Sequence, residues 1–347
     1  MSRTMSALNF TAPGVLGNSH LQSVLPSLSL RRPWVERRAA ALLRCSRTLL
    51  LSAGDGVRLQ GFFSPAPANS SASKQPPEKT GAELPRLVVI LHGWEGSARS
   101  LYVLSLAADL HAAGCDVLRL NLRDHGDTHH LNPGLFHSCR LAEVVEALRS
   151  IQRLFPSHQL SLTGFSLGGN FMLRAALRAP SAGLRVSRAI AISPVLDPAK
   201  TLDALEQGWW IYRRYFVLKW SRSLRRKQNL WPNEFRFDQL LRSADLRQMT
   251  EELVLQHTGF ATVADYFAGY ALVGERLASL QVPSVMVNAL DDPIIPAEDL
   301  ARIARPPALR VLSPRHGGHC GFFDLLEGRG FISRLVLQEL ADSSAMT

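Results

Sequence analysis

Leu160-Ser161-Leu162-Thr163-Gly164-Phe165-Ser166-Leu167-Gly168 passes from an apolar strand pattern, through a Gly-x-Ser-x-Gly turn, into a helical pattern over 170–179 that stops at Pro180. A turn that tight leaves no room for side chains beside the serine, which accounts for the two glycines. It also pushes the serine hydroxyl into the open at the carboxyl edge of a sheet. The amino end of the following helix adds a positive dipole and free N–H groups for a developing oxyanion. Ser166 is therefore the candidate nucleophile. The bland alternative is a glycine-rich strand–helix turn with an incidental serine, and the flanking strand and helix favour the first reading.

The same alternation continues on both sides. Leu87-Val88-Val89-Ile90-Leu91 is a continuous apolar run of the buried parallel-strand type. Helices are predicted over 99–113, 141–154 and 331–341, and further strands over 117–122, 189–192, 283–289 and 309–312. Such alternation predicts an α/β fold, a mostly parallel sheet with helices on both faces. Leu49-Leu50-Leu51 and Val57 to Phe63 flank Gly54-Asp55-Gly56 and predict a hairpin. Residues 64–85, rich in Pro, Ser, Ala and Lys, read as a surface loop.

The rhythm breaks between Asp197 and Tyr270. Four of the six tryptophans lie there (Trp209, Trp210, Trp220 and Trp231), and 207–233 holds seven Lys/Arg and no acid. An inserted helical cap fits that break. The expected organisation is an N-terminal extension at 1–47, the first part of the core at 48–196, the cap at 197–270 and the rest of the core at 271–347.

A serine nucleophile needs a base to take its proton and an acid to orient that base. On this kind of sheet they follow in the order Ser, Asp or Glu, His. Asn288-Ala289-Leu290-Asp291-Asp292-Pro293-Ile294-Ile295-Pro296 ends a strand with adjacent aspartates. Asp292 is the preferred acid. Asp291 competes, because neighbours in a loop point in different directions, and Asp197 is a third candidate. The bland role of each is a cap or a turn. His319, inside His316-Gly317-Gly318-His319-Cys320-Gly321-Phe322, is the preferred base, since glycines let a loop carry an imidazole into a crowded site. His316 reads as a loop histidine. Residues 319–324 also spell H-x4-D, too short a string to weigh. The oxyanion donors expected are the N–H groups of Leu167 and of Trp94 in His92-Gly93-Trp94. His92 comes too early to be the base and is expected to brace its loop.

Composition narrows the classes further. The 347 residues are 46% hydrophobic and 20% charged, which excludes a disordered or collagen-like chain. Lys and Arg number 39 against 29 Asp and Glu, a net charge of +10 that favours a nearby anionic surface, nucleic acid or phospholipid. The arginines form no nucleic-acid module, so no nucleic-acid partner is expected. Cys45, Cys115, Cys139 and Cys320 form no C-x-x-C pair and suit a reducing cytoplasm. No secretory signal and no apolar run of ~18–20 residues is present, so a cytoplasmic chain, soluble or peripheral to a membrane, is expected. His129-His130 lacks spaced partners for a metal, and no phosphate loop occurs. No metal and no cofactor are expected. His125 sits in Arg123-Asp124-His125-Gly126-Asp127, a loop at the same sheet edge.

Asn18-Ser19-His20-Leu21-Gln22, Asp55-Gly56, His92-Gly93, Gly164 to Asn170, Asn288 to Pro293 and Gly317 to Phe322 occur in one order. Together they resemble the YheT-like branch of the α/β-hydrolases, which includes bacterial hydrolases and eukaryotic lipid esterases and ethanol acyltransferases. The resemblance spans roughly residues 10–340. It implies an α/β-hydrolase fold, a triad of Ser166, Asp292 and His319, and carboxylic esters as substrates, acylglycerols and short-chain fatty esters among those of relatives. Asp124-His125 departs from the Gly and small residues frequent in the branch, and the cap is unusually basic; both bear on substrate choice. The expected activity is ester hydrolysis through an acyl-enzyme. Acyl transfer to an alcohol is the alternative, and a catalytically silent lipid-binding member the third reading.

Trp209, Tyr212, Phe216, Trp220 and Leu224 recur every three or four residues on one helical face, with Arg214, Arg222 and Arg225 on the other. The favoured reading packs the aromatics over a cleft and leaves the arginines solvated. The second lays the helix on a membrane surface.

Overall fold

The computed structural model describes residues 10–12, 14–67, 84–324 and 330–342. Three short helices open the chain: α1 (Ser19–Val24), α2 (Arg32–Arg38) and α3 (Ala40–Arg44). The hairpin follows as β1 (Arg47–Ser52) and β2 (Arg58–Ser64), paired antiparallel around a turn with positive φ at Gly54, Asp55 and Gly56. Most of the loop expected over 64–85 lies outside the described residues.

The alternation then runs β3 (Arg86–Leu91), α4 (Leu101–Ala112), β4 (Asp116–Leu120), α5 (Leu141–Leu154), β5 (Gln159–Phe165), α6 (Leu167–Arg178) and β6 (Val186–Ile192). Four helices separate β6 from the next strand: α7 (Pro198–Gln207), α8 (Trp210–Leu230), α9 (Leu246–His257) and α10 (Val263–Tyr270). β7 (Ser284–Val287), β8 (Leu309–Leu312) and α11 (Phe331–Asp342) complete the described chain. The eight strands lie in the order β1-β2-β4-β3-β5-β6-β7-β8, with β2 antiparallel to β4 and every later pair parallel.

β3 shows why its sequence is apolar throughout. Leu87, Val89 and Leu91 join the core on the face covered by α5 and α6, while Val88 and Ile90 join the core on the face covered by α4 and α11. A strand buried on both sides cannot alternate with polar residues. The strand order reverses between β3 and β5, so the loops leaving their carboxyl ends diverge to opposite faces and open a crevice between them. Ser166 follows β5 and His92 follows β3, so both stand at that crevice. No helix among the described residues is long and apolar enough to cross a membrane. All four cysteines are free.

Candidate active site

Ser166 caps the amino end of α6 with φ 52° and ψ −121°, a backbone region that costs a non-glycine residue about 1–3 kcal/mol. The strain is held by the neighbours. The Ser166 N–H donates to Ile192 O at 2.8 Å. A Cβ at Gly164 would lie 2.3 Å from Gly168 O, and one at Gly168 would lie 2.3 Å from His92 O and 2.5 Å from Leu91 O. Glycine is obligatory at both positions because backbone meets backbone there.

The structure brings Ser166, His319 and Asp292 together. His319 Nε2 is 2.9 Å from Ser166 Oγ, and His319 Nδ1 is 2.9 Å from Asp292 Oδ2. Asp292 is oriented by its own turn, since Oδ1 accepts the N–H groups of Ile294 and Ile295 at 2.8 and 3.0 Å and leaves Oδ2 for the imidazole. Asp291 turns the other way, accepting Gly318 N–H at 2.9 Å and approaching His316 Nδ1 at 3.3 Å. Asp197 caps α7 and pairs with Arg302. Asp324, the acid of the H-x4-D string, pairs with Arg334. Burial alone would depress the His319 pKa. The adjacent Asp292 carboxylate, together with Cys320, outweighs it and holds the imidazole well above its ordinary value.

The crowding around His319 comes from the far end of the chain, which sequence reasoning treated as an extension. A Cβ at Gly318 would meet Ser19 O at 2.4 Å, and one at Gly321 would meet Gln22 O at 2.3 Å. Ser23 Oγ accepts the His319 N–H at 2.8 Å. Gln22 is fully buried; its amide donates to Leu16 O and Phe323 O and its carbonyl accepts Phe323 N–H. α1 thus clamps the histidine loop on both sides. Gln22 closes the Asn18-to-Gln22 run already singled out in the sequence; Ser23 carried no signal of its own.

The other wall is the loop after β3. His92 Nδ1 donates to Gly93 O at 2.7 Å and Nε2 accepts Leu122 N–H at 3.2 Å, so the imidazole is a neutral brace, and burial holds its pKa well below the ordinary value. His125 repeats the device, bonding Arg123 O and the Glu95 N–H, with burial lowering its pKa to about 4. The N–H groups of Gly93, Glu95 and Gly96 are bonded to Tyr102 Oη, His125 Nε2 and Gly93 O. Among the described residues no acceptor meets the Trp94 or the Leu167 N–H. Burial pushes the Glu95 carboxyl up to about 8, which keeps a negative charge away from those donors at neutral pH.

α8 grips this loop. Phe216 stacks on Trp94 with ring centroids 4.9 Å apart, Trp220 meets it edge-on at 5.1 Å, and Lys219 Nζ donates to Glu95 O at 3.1 Å. Tyr212 Oη is 2.9 Å from His20 Nδ1 on α1. The aromatic face therefore packs inward, with Trp209 half-exposed at the helix start. Farther along, Lys227 is buried and donates to Asp124 Oδ1 at 2.8 Å, bolting α8 to the loop after β4. His129 Nε2 lies 2.8 Å from the Ser223 hydroxyl. Among the described residues no group of three His, Cys, Asp or Glu side chains is placed to hold a metal ion.

A family model described as the alpha/beta hydrolase fold matches residues 86–325, more than half of the chain. The chain belongs to the α/β-hydrolase family. This α/β-hydrolase is 26% identical over 321 residues to YheT of Escherichia coli (strain K12), a protein given the provisional name of an esterase; the match covers 91% of this chain and 88% of that one. It is 23% identical to medium-chain fatty acid ethyl ester synthase/esterase 2 of Saccharomyces cerevisiae, over 69% of this chain and 58% of the yeast protein. The crystal structure of carboxylesterase CesB (YbfK) from Bacillus subtilis shares the fold, with a TM-score of 0.52 at 16% identity over 90% of this α/β-hydrolase and 98% of the other chain.

Proposed function

We propose that this α/β-hydrolase cleaves carboxylic esters through an acyl-enzyme on Ser166. The observation that carries the reading is the relay of two 2.9 Å contacts from Asp292 through His319 to a hydroxyl on a strained turn. Ser166 Oγ attacks the ester carbonyl as His319 Nε2 takes its proton. Asp292 fixes the imidazole with Nδ1–H toward itself and stabilises the imidazolium. The Trp94 and Leu167 N–H groups receive the oxyanion, a contribution of about 10²–10³ in rate per donor. His319 returns the proton to the leaving alcohol, and a water repeats the sequence on the acyl-enzyme. Each proton and electron pair comes from a side chain or water. Four free thiols suit a reducing, cytoplasmic setting.

The test is covalent. A fluorophosphonate probe should label the folded chain, and mass spectrometry should place the adduct on Ser166. Turnover of a p-nitrophenyl ester with the label elsewhere, or with none, removes the proposal. The acid limb of kcat/KM supplies a second check. His319 must be neutral to accept a proton, and the Asp292 carboxylate raises its pKa. Activity should therefore rise with pH through a value above 6.5. Asp292→Asn removes the carboxylate that opposes burial, leaving only the smaller contribution of Cys320 against it, and should move the limb to lower pH. A wild-type limb at or below 6.5 contradicts this assignment.

Acyl transfer is the second reading, supported by the yeast relative whose name joins synthase with esterase. A bound alcohol would intercept the same acyl-enzyme in place of water. The ratio of ester to acid formed in the presence of ethanol reads that partition.

A further inference from the structure

Trp210, Arg214, Leu218, Arg222 and Arg225 follow one another along α8 at steps of four, four, four and three, and all five are exposed. Spaced this way they form one row on the side opposite Phe216, Trp220 and Lys227. Tyr215 is exposed beside the row. α8 contains no aspartate or glutamate. Arg226 pairs with Asp127 and Arg213 approaches Glu206 at 3.6 Å, but Arg214, Arg222 and Arg225 meet no carboxylate among the described residues. Toward the end of the helix, Arg222, Arg225 and Arg226 join His130 and Leu230 along a shallow groove of about 480 Å³.

We propose that this outer face of α8 docks on a bilayer containing anionic phospholipid. The guanidiniums would sit among the phosphates, and Trp210, Tyr215 and Leu218 would enter the interfacial layer, as a basic amphipathic helix does. Charge alone would also suit a nucleic acid. The exposed Trp210 fits either partner, but Leu218, 47% exposed in the middle of the row, favours lipid, because an aliphatic side chain gains nothing from a phosphodiester backbone. The inner face of the same helix holds the Trp94 loop, so a docked chain has its oxyanion wall one helix diameter from the lipid. Three unpaired guanidiniums correspond to a preference on the order of 100-fold for charged over neutral vesicles.

Vesicle flotation with the full-length Ser166→Ala chain separates docking from catalysis, so the failure of either reading is distinguishable. The chain should float with phosphatidylcholine vesicles that contain phosphatidylserine, on the order of 100-fold more tightly than with phosphatidylcholine alone, and release as salt rises. The triple variant Arg214→Glu, Arg222→Glu, Arg225→Glu should lose this binding. In the wild-type background it should keep its Tm and its turnover of a soluble ester. Leu218→Asp should also weaken flotation. The proposal is overturned by wild-type binding no tighter to charged than to neutral vesicles, by undiminished binding of either variant, or by tighter binding to a single-stranded oligonucleotide than to vesicles.

Discussion

Ser166→Ala is expected to lower kcat on p-nitrophenyl esters by on the order of 10⁶-fold while leaving the fold intact. In the proposed mechanism the hydroxyl is the attacking group, and alanine offers no substitute. Neighbouring waters would gain little from His319, because the imidazole is aimed at Ser166 Oγ and fixed from behind by Asp292, on a loop held by Ser23 and Gln22. What survives is the acceleration from binding and from the two unengaged N–H groups, about 10³–10⁴ over water. The backbone at 166 keeps its strain in the variant, since alanine has the same Cβ as serine, so only one hydrogen bond is lost and Tm should move by a few degrees at most. Single-turnover kinetics, with circular dichroism on the same sample, provide the measurement. A residual kcat within about tenfold of wild type would mean that the nucleophile lies elsewhere.

Lys227→Met should have the largest effect on stability. Burial pushes the Lys227 ammonium down and the Asp124 carboxyl up, and each is opposed by its partner. Lys227 Nζ also donates to Asn132 O at 2.6 Å and Gly134 O at 3.0 Å. The substitution strands the buried Asp124 Oδ1 and Asn132 O, whereas Gly134 O keeps Arg123 Nη1 and Asp124 Oδ2 keeps the Phe136 N–H; the uncompensated carboxylate sets a loss of about 3–5 kcal/mol. In a chain of this size that lowers Tm by on the order of 10 °C. Adding Asp124→Asn removes the stranded charge, so the double variant should recover part of the loss. Denaturant titration of both variants measures the coupling. A single variant within about 1 kcal/mol of wild type would show that the pair contributes little to holding α8. Should the single variant fail to fold, the double variant still tests the claim, because it is expected to fold.

Much of the fold is legible because its determinants are local. The Gly164-to-Gly168 turn carries its own steric reason, and the unbroken apolar run at 87–91 reports burial on two faces without reference to any distant residue. The aspartates at 291 and 292 are legible only as a pair. Which one faces His319 depends on where the turn sends each side chain, and the Ile294 and Ile295 amides decide it. The roles of Gln22, Ser23 and Lys227 are not legible. Each bonds to residues roughly 95 to 301 positions away, and nothing within a helical turn of them marks what they will meet. The aromatic face of α8 falls between these cases. Its periodicity shows that one side is buried, whereas the Trp94 side chain it buries against is found only by folding.

The bond between Gln22 and Phe323 joins positions 301 residues apart. A ribosome releases the amino end of this chain long before the carboxyl end exists, and domains fold largely in that order. The first helix must therefore wait, with its future partner still untranslated, until the histidine loop emerges to meet it. The candidate base is thus among the later parts of the described chain to be made: a nascent chain could complete most of its sheet before residue 319 exists. Until it does, the relay proposed for ester cleavage has no base.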